Sequence, residues 1–407
     1  MVRSCPEAAP GARHRAERSG SVRSQSSIAE EVWRAREVRG RDRRPAVTPG
    51  FRRILALDPP PSPARVPGAG AGPRVRIGLV QHAWHPDAAV LTGALTDAIG
   101  MAADAGARLV VLPELTLSRY PADTVPTGRA DAVAESLVDG PTVRFAAAAA
   151  ATHGVLVHGS LYERTGDADG RGLNVAIVVS PAGEILVRTP KLHLPVTAGY
   201  HEDLYFRPGP AEGADPALGP YPVHRLGGTA GAARRTGPAG GSEDVGGTED
   251  AGGAEDAGAC FGFPTCWDEW FPEVARAYAL GGADVVVYPS AIGSEPDHPD
   301  FDTEPLWRQV IVGNGIANGL FMVVANRTGQ EPRPDGTPGH TFYGSSFVSD
   351  PYGRVLVQAP RDEQAVLVVD LDLRQRTDWL DLFPFLRTRR PDTYGALVAP
   401  VDPGVPA

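Results

Sequence analysis

Four segments set reactive side chains against apolar runs able to bury them. V-V-L-P-E-L closes a short apolar run on Glu114. An acid directly after a buried strand and a proline stands at the edge of the core, where lost hydration raises its pKa and suits it to general-base work; the plainer role is a loop acid. T-P-K-L-H-L-P carries Lys191 and His193. A lysine there can offer a compact positive charge to a developing oxyanion, or simply snorkel to water from a strand end; His193 reads as structural. G-Y-H-E-D-L-Y-F sets Glu202 eleven residues after Lys191, near enough to pair with it, although by itself it reads as a surface acid. F-G-F-P-T-C-W-D-E-W-F-P-E puts Cys266 between a short apolar strand and a helix beginning near Pro272. A thiol on such a turn is placed to attack a carbonyl carbon while nearby backbone N–H groups bind the oxyanion. A buried structural cysteine is the alternative, and it is the reading for Cys260.

Composition removes other chemistries. Of the 39 basic residues 38 are arginine, and Lys191 is the one lysine. Such a bias replaces surface lysines with arginine, so a lysine that persists either marks a place where a planar guanidinium does not serve or persists by chance. Three cysteines are too few for a disulfide framework, and no C-x-x-C pair suggests zinc. His82 and His85 lack the rest of a ligand set. There is no G-x-S-x-G elbow, phosphate loop or dinucleotide fingerprint. A net charge of −10 argues against a nucleic-acid partner, and no apolar run reaches the length of a membrane span.

The elements that must position these groups alternate between strand and helix. Strands are expected at 74–81, 108–112, 155–161, 284–288, 321–325 and 365–370, with hairpins at 176–180/185–188 and 345–349/355–358. Helices are expected at 88–105, with Val90, Leu91, Leu95, Ile99 and Ala102 on its apolar face, and at 142–153, 272–280 and 306–318. This is an α/β pattern of short strands with covering helices.

Two stretches stand apart. Residues 1–73 carry 14 Arg against 7 acids with little hydrophobic periodicity. They are expected to be a disordered extension or the product of a misassigned start, in which case Val66 or Val75 would come first. Without them the body carries 25 basic and 42 acidic residues, a charge of −17. Residues 227–258 repeat S-E-D-V-G-G, T-E-D-A-G-G and A-E-D-A-G, the composition of a flexible acidic insertion. Residues 398–407 are expected to be a tail.

With Glu114, Lys191 and Cys266 in this order, residues 74–397 resemble the nitrilase superfamily of carbon–nitrogen hydrolases. Within it the segments G-Y-H-E-D-L-Y-F-R-P-G, C-W-D-E-W-F-P-E-V-A-R-A, Y-P-S-A-I-G-S-E-P, A-N-R-T-G, F-Y-G-S-S-F and R-R-P-D-T-Y are most similar to the N-carbamoylputrescine amidase branch. The resemblance implies a four-layer α-β-β-α sandwich and a cytoplasmic thiol amidohydrolase with Cys266 as nucleophile, Glu114 as base and Lys191 on the oxyanion. Glu202 would steady Lys191, and the backbone N–H of Trp267 would be the second oxyanion donor. No metal or organic cofactor is expected. Relatives acting on carbamoyl amino acids often place arginine just after the nucleophile, whereas here Asp268 and Glu269 follow. An acidic mouth built from them, with Tyr120 also on the substrate side, favours an amine cation; Arg119 near that mouth would oppose one. The implied partners are a small ureido or amide substrate and further copies of the chain, a dimer or larger. The alternatives are another amidase of the superfamily, for an aliphatic amide or a carbamoyl amino acid, and a non-catalytic binding protein that kept the fold.

Overall fold

The structure is a computed structural model. It describes residues 50–70, 72–227, 234–236, 258–295, 297, 298 and 300–399. In chain order the first half runs β1 (Arg52–Ala56), β2 (Arg74–Gln81), α1 (Ala88–Asp104), β3 (Leu109–Val111), α2 (Pro141–His153), β4 (Leu156–Glu163), β5 (Leu173–Val179) and β6 (Ile185–Pro190). A small hairpin, β7 (Val196–Thr197) and β8 (Tyr200–His201), leads into the one-turn helix α3 (Glu202–Tyr205). The second half runs β9 (Val223–Leu226), β10 (Arg234–Thr236), β11 (Ala259–Gly262), α4 (Pro272–Leu280), β12 (Val285–Ser290), α5 (Glu304–Asn318) and β13 (Phe321–Asn326). It ends with the hairpin β14 (Thr328–Pro332) and β15 (Pro338–Tyr343), then β16 (Phe347–Ser349), β17 (Val355–Gln358), β18 (Ala365–Asp372) and α6 (Arg374–Leu382).

The strands form two seven-stranded sheets, β1-β18-β2-β3-β4-β5-β6 and β10-β9-β11-β12-β13-β16-β17. Side chains alternate across each strand, so both faces of the central strands must be apolar if both are covered. That is the pattern seen. Ile77 and Leu79 of β2, Leu367 and Val369 of β18, Val285 and Val287 of β12 and Val323 of β13 meet in one core between the sheets. Val80, Val366 and Val368 turn the other way and pack with Leu91, Leu95 and Ile99 of α1 and Ala146 and Ala149 of α2. Val286, Tyr288, Met322 and Val324 do the same with Val274 and Tyr278 of α4 and Trp307 and Ile311 of α5. The layers are therefore helix, sheet, sheet, helix, as expected.

Two expectations need correction. Val90 does not join the apolar face of α1; it is half exposed, because it lies about 100° round the helix from Leu91, off the stripe of Leu91, Leu95, Ala98, Ile99 and Ala102 that is buried. Residues 50–73 are not wholly irregular, since β1 adds a parallel edge strand to β18 from Arg52–Ala365 to Ala56–Val369. Its sequence R-R-I-L-A has too few apolar residues to stand out, and the pairing with β18 supplies what local propensity lacks. Residues 1–49 and 400–407 lie outside the described residues. So does nearly all of the acidic insertion, apart from β10, which pairs antiparallel with β9.

Candidate active site

Glu114 follows the carboxyl end of β3, and Lys191 directly follows β6. β3 and β4 are parallel, and β5 is antiparallel to both β4 and β6. β6 therefore runs the same way as β3, which brings both residues to the same edge of the first sheet. Glu202 opens α3 nearby. Cys266 comes from the other sheet, after the carboxyl end of β11, which is parallel to β12. Its backbone has φ +43, a left-handed conformation rare for a residue with a side chain.

Asp268 fixes that turn. Its Oδ2 accepts the backbone N–H of Thr265 at 3.1 Å and of Leu192 at 3.4 Å, and its Oδ1 accepts that of His193 at 2.9 Å. The His193 ring contacts the same carboxylate through Nδ1 at 2.7 Å and stacks on Phe271 with centroids 3.8 Å apart. One carboxylate thus joins the residue before Cys266 to the two residues after Lys191, and it ties the two sheets together at the site.

The Lys191 ammonium donates to Glu114 Oε1 at 2.9 Å and to both oxygens of Glu202, at 2.9 and 2.7 Å. Asn174 Nδ2 donates to the same Glu114 oxygen at 2.7 Å, and the Tyr120 hydroxyl donates to Glu202 Oε1 at 2.9 Å. Lys191 and both carboxylates are fully buried. Glu114 Oε2 is also buried and has no hydrogen-bond partner among the described residues. Burial alone would strip the proton from Lys191, but Glu114 and Glu202 outweigh it and hold the ammonium well above its ordinary pKa. Burial raises Glu202 to about 7, with Lys191 pulling it down and Glu114 pushing it up. Burial and the neighbouring Glu114 carboxylate push the Cys266 thiol well above its usual value, against the pull of Lys191. A thiol so placed keeps its proton until a base removes it, and a carboxylate oxygen with no other donor can serve.

A cavity of about 180 Å³ opens over Cys266. Glu202 lies at its lining beside the thiol, Trp267, Trp270 and Ile292 give it apolar walls, and Glu295 contributes a second carboxylate. Burial raises the pKa of Glu295.

The expected acidic mouth is not there. Asp268 and Glu269 are both fully buried, because the short 3-10 helix after Cys266 turns them inward. Glu269 accepts from the Trp307 indole and from Ser290 Oγ at 3.1 Å, and burial pushes its pKa well up. Tyr120 does not line the cavity; its hydroxyl is engaged by Glu202. Arg119 is paired with Asp123 and faces a different groove. The sequence reading passed over Asn174 and Glu295. Asn174 had a signal, a lone amide in the apolar strand L-N-V-A-I-V-V. Glu295 lay in a segment already quoted, with nothing local to mark its direction.

The family model for carbon-nitrogen hydrolases matches residues 76–380. N-carbamoylputrescine amidase of Oryza sativa subsp. japonica is 30% identical over 81% of this chain and 97% of its own. Citrullinase of Francisella tularensis is 29% identical over 80% of this chain and 98% of its own. Among solved structures, a carbon-nitrogen hydrolase from Helicobacter pylori G27 is 28% identical with a TM-score of 0.63, covering 80% of this chain and 99% of that one. The chain belongs to the carbon-nitrogen hydrolase family, the nitrilase superfamily, and is an amidase-type enzyme acting on non-peptide C–N bonds, with N-carbamoylputrescine amidases close to it.

Proposed function

We propose that Cys266 is the nucleophile of a thiol amidohydrolase that cleaves the terminal carbamoyl group of a small amine, with N-carbamoylputrescine as the favoured substrate. The observation that carries this reading is the cavity over Cys266, lined by Glu202 of the buried Lys–Glu–Glu cluster, by apolar walls and by the carboxylate of Glu295. An extended substrate with a ureido group at one end and an ammonium at the other matches that order of groups.

In the proposed reaction, Glu114 Oε2 takes the thiol proton as sulfur bonds to the carbonyl carbon. The carbonyl π electrons move to oxygen, where Lys191 Nζ and the Trp267 N–H stabilise the charge. Glu114 returns the proton to the leaving nitrogen, the C–N bond breaks and ammonia departs, leaving a carbamoyl thioester on Cys266. Glu114 then takes a proton from water as it attacks the same carbon, and as the C–S bond breaks the proton passes from Glu114 to the departing sulfur, restoring the thiol. The released carbamate loses CO2 to give the amine. Glu202 holds Lys191 in place throughout. A thiol nucleophile suits a reducing compartment, so the cytoplasm is the proposed setting. A homo-oligomer is the proposed assembly.

The citrullinase relative supports a second reading, hydrolysis of an α-amino acid bearing a ureido group. Such a substrate carries a carboxylate, and no Lys, Arg or His is among the described residues lining the cavity. The test is ammonia release from N-carbamoylputrescine, citrulline, N-carbamoyl-β-alanine and a simple aliphatic amide, with wild type and Cys266→Ala. Highest kcat/KM on N-carbamoylputrescine and none with Cys266→Ala is expected. A better carboxylate substrate would overturn the amine reading.

A further inference from the structure

We infer that Arg327 is the positioning residue of the reaction, setting the base Glu114 and, through Glu331 and Tyr120, the Glu202 carboxylate. The inference rests on Glu114 acting as the base.

Arg327 stands between β13 and β14 and is completely buried. Its Nε and Nη2 donate to the backbone oxygen of Glu114 at 3.0 and 2.9 Å. Nη2 also donates to the carbonyls of Leu115 at 2.6 Å and Ser118 at 2.7 Å. Three carbonyls of one turn therefore converge on one cation. The turn needs such a partner, because Leu115 lies at φ +50, a conformation a branched side chain avoids. Nη1 pairs with Glu331, whose other oxygen accepts the Tyr120 N–H at 2.8 Å. Tyr120 in turn gives its hydroxyl to Glu202. The Phe342 ring packs 5.7 Å from the guanidinium carbon and closes the site around it.

The fork of five N–H donors reaches all these acceptors in one plane, which a lysine cannot do. Loss of the fork takes its donors from the carbonyls of Glu114, Leu115 and Ser118 and leaves buried Glu331 without its counter-charge. The turn carrying Glu114 then relaxes, and a shift of about 1 Å at a reacting group costs on the order of 100-fold in rate.

The test compares Arg327→Lys, Glu331→Gln, Glu114→Gln and the double variant Arg327→Lys/Glu114→Gln. Two readouts are used, kcat on the productive substrate and the rate of Cys266 alkylation by iodoacetamide followed by mass. We expect Arg327→Lys to lower kcat about 100-fold with little change in KM. Residues acting through one group are non-additive, so Arg327→Lys should add no further loss in the Glu114→Gln background by either readout. Losses that multiply would make Arg327 a purely structural residue and overturn the inference. Full activity of Arg327→Lys, with Glu114→Gln inactive, would overturn it while leaving the base intact. Full activity of Glu114→Gln would instead overturn the reading of Glu114. If Arg327→Lys does not fold, Glu331→Gln carries the comparison, with a smaller loss that also vanishes beside Glu114→Gln; a loss that persists there overturns the inference.

Discussion

The two sheets contribute to the site by different means. The first sheet presents Glu114, Lys191 and Glu202 as a dry cluster of charges that hold one another. The second presents Cys266 on a strained turn whose geometry is set by backbone N–H groups gathered on Asp268 and by the buried Glu269 lodged against Trp307. Charges lie at the surface of the chemistry on one side and behind it, as framework, on the other. A substitution on the first side should therefore alter rate and pH dependence first, and one on the second should alter stability first.

The largest expected effect tests the charge side. Lys191→Arg keeps the charge but replaces a point donor by a planar fork between two carboxylates, and kcat should fall roughly 100- to 1000-fold. Near-normal turnover in steady-state assays would remove Lys191 from the oxyanion. Next comes the framework side. Asp268→Asn turns an amide group toward backbone donors, and stability should drop by about 1–3 kcal/mol in urea melts. An unchanged midpoint would mean that the two sheets are held together at the site by other contacts.

Two smaller effects separate the acids by pH. Glu202, raised to about 7, is neutral below that value, so Glu202→Gln should match wild type near pH 6 and diverge from it near pH 8. Parallel pH–rate profiles would contradict that assignment. Burial holds the pKa of Glu269 well above the ordinary carboxylate range. The folded state keeps that proton and the unfolded chain releases it above pH 4.5, so its contribution to stability falls as pH rises, by at most about 1.4 kcal/mol per pH unit. Glu269→Gln should flatten the melting temperature between pH 5 and 8 and leave kcat within about threefold. A steeper slope in the variant would reverse the sign and make Glu269 ionised.

Much of this was legible in the sequence because it is periodic or local. The strand–helix alternation, the helix starting at Pro272 and the turn at Cys266 all follow from apolar spacing and proline. Helix α6 was missed, since R-Q-R-T-D-W-L-D-L shows charge on most of its faces and buries little. The inward turn of Asp268 and Glu269 could not be read, because adjacency to Cys266 says nothing about direction inside a 3-10 helix. Arg327, Glu331 and Asn174 meet the site from segments 60 or more positions away from Glu114, so only the folded chain reveals them. The arginine bias hid Arg327 among 38 arginines while it exposed the lone lysine.

That lone lysine has a practical consequence. Lys191 is the one side-chain amine in the chain, and it is sealed between two carboxylates. Amine-directed reagents such as succinimidyl esters and glutaraldehyde therefore find the backbone terminus and little else on the native protein. Amine-reactive cross-linkers will under-report any assembly of this chain, and a carboxyl-directed chemistry is the better choice for counting its subunits.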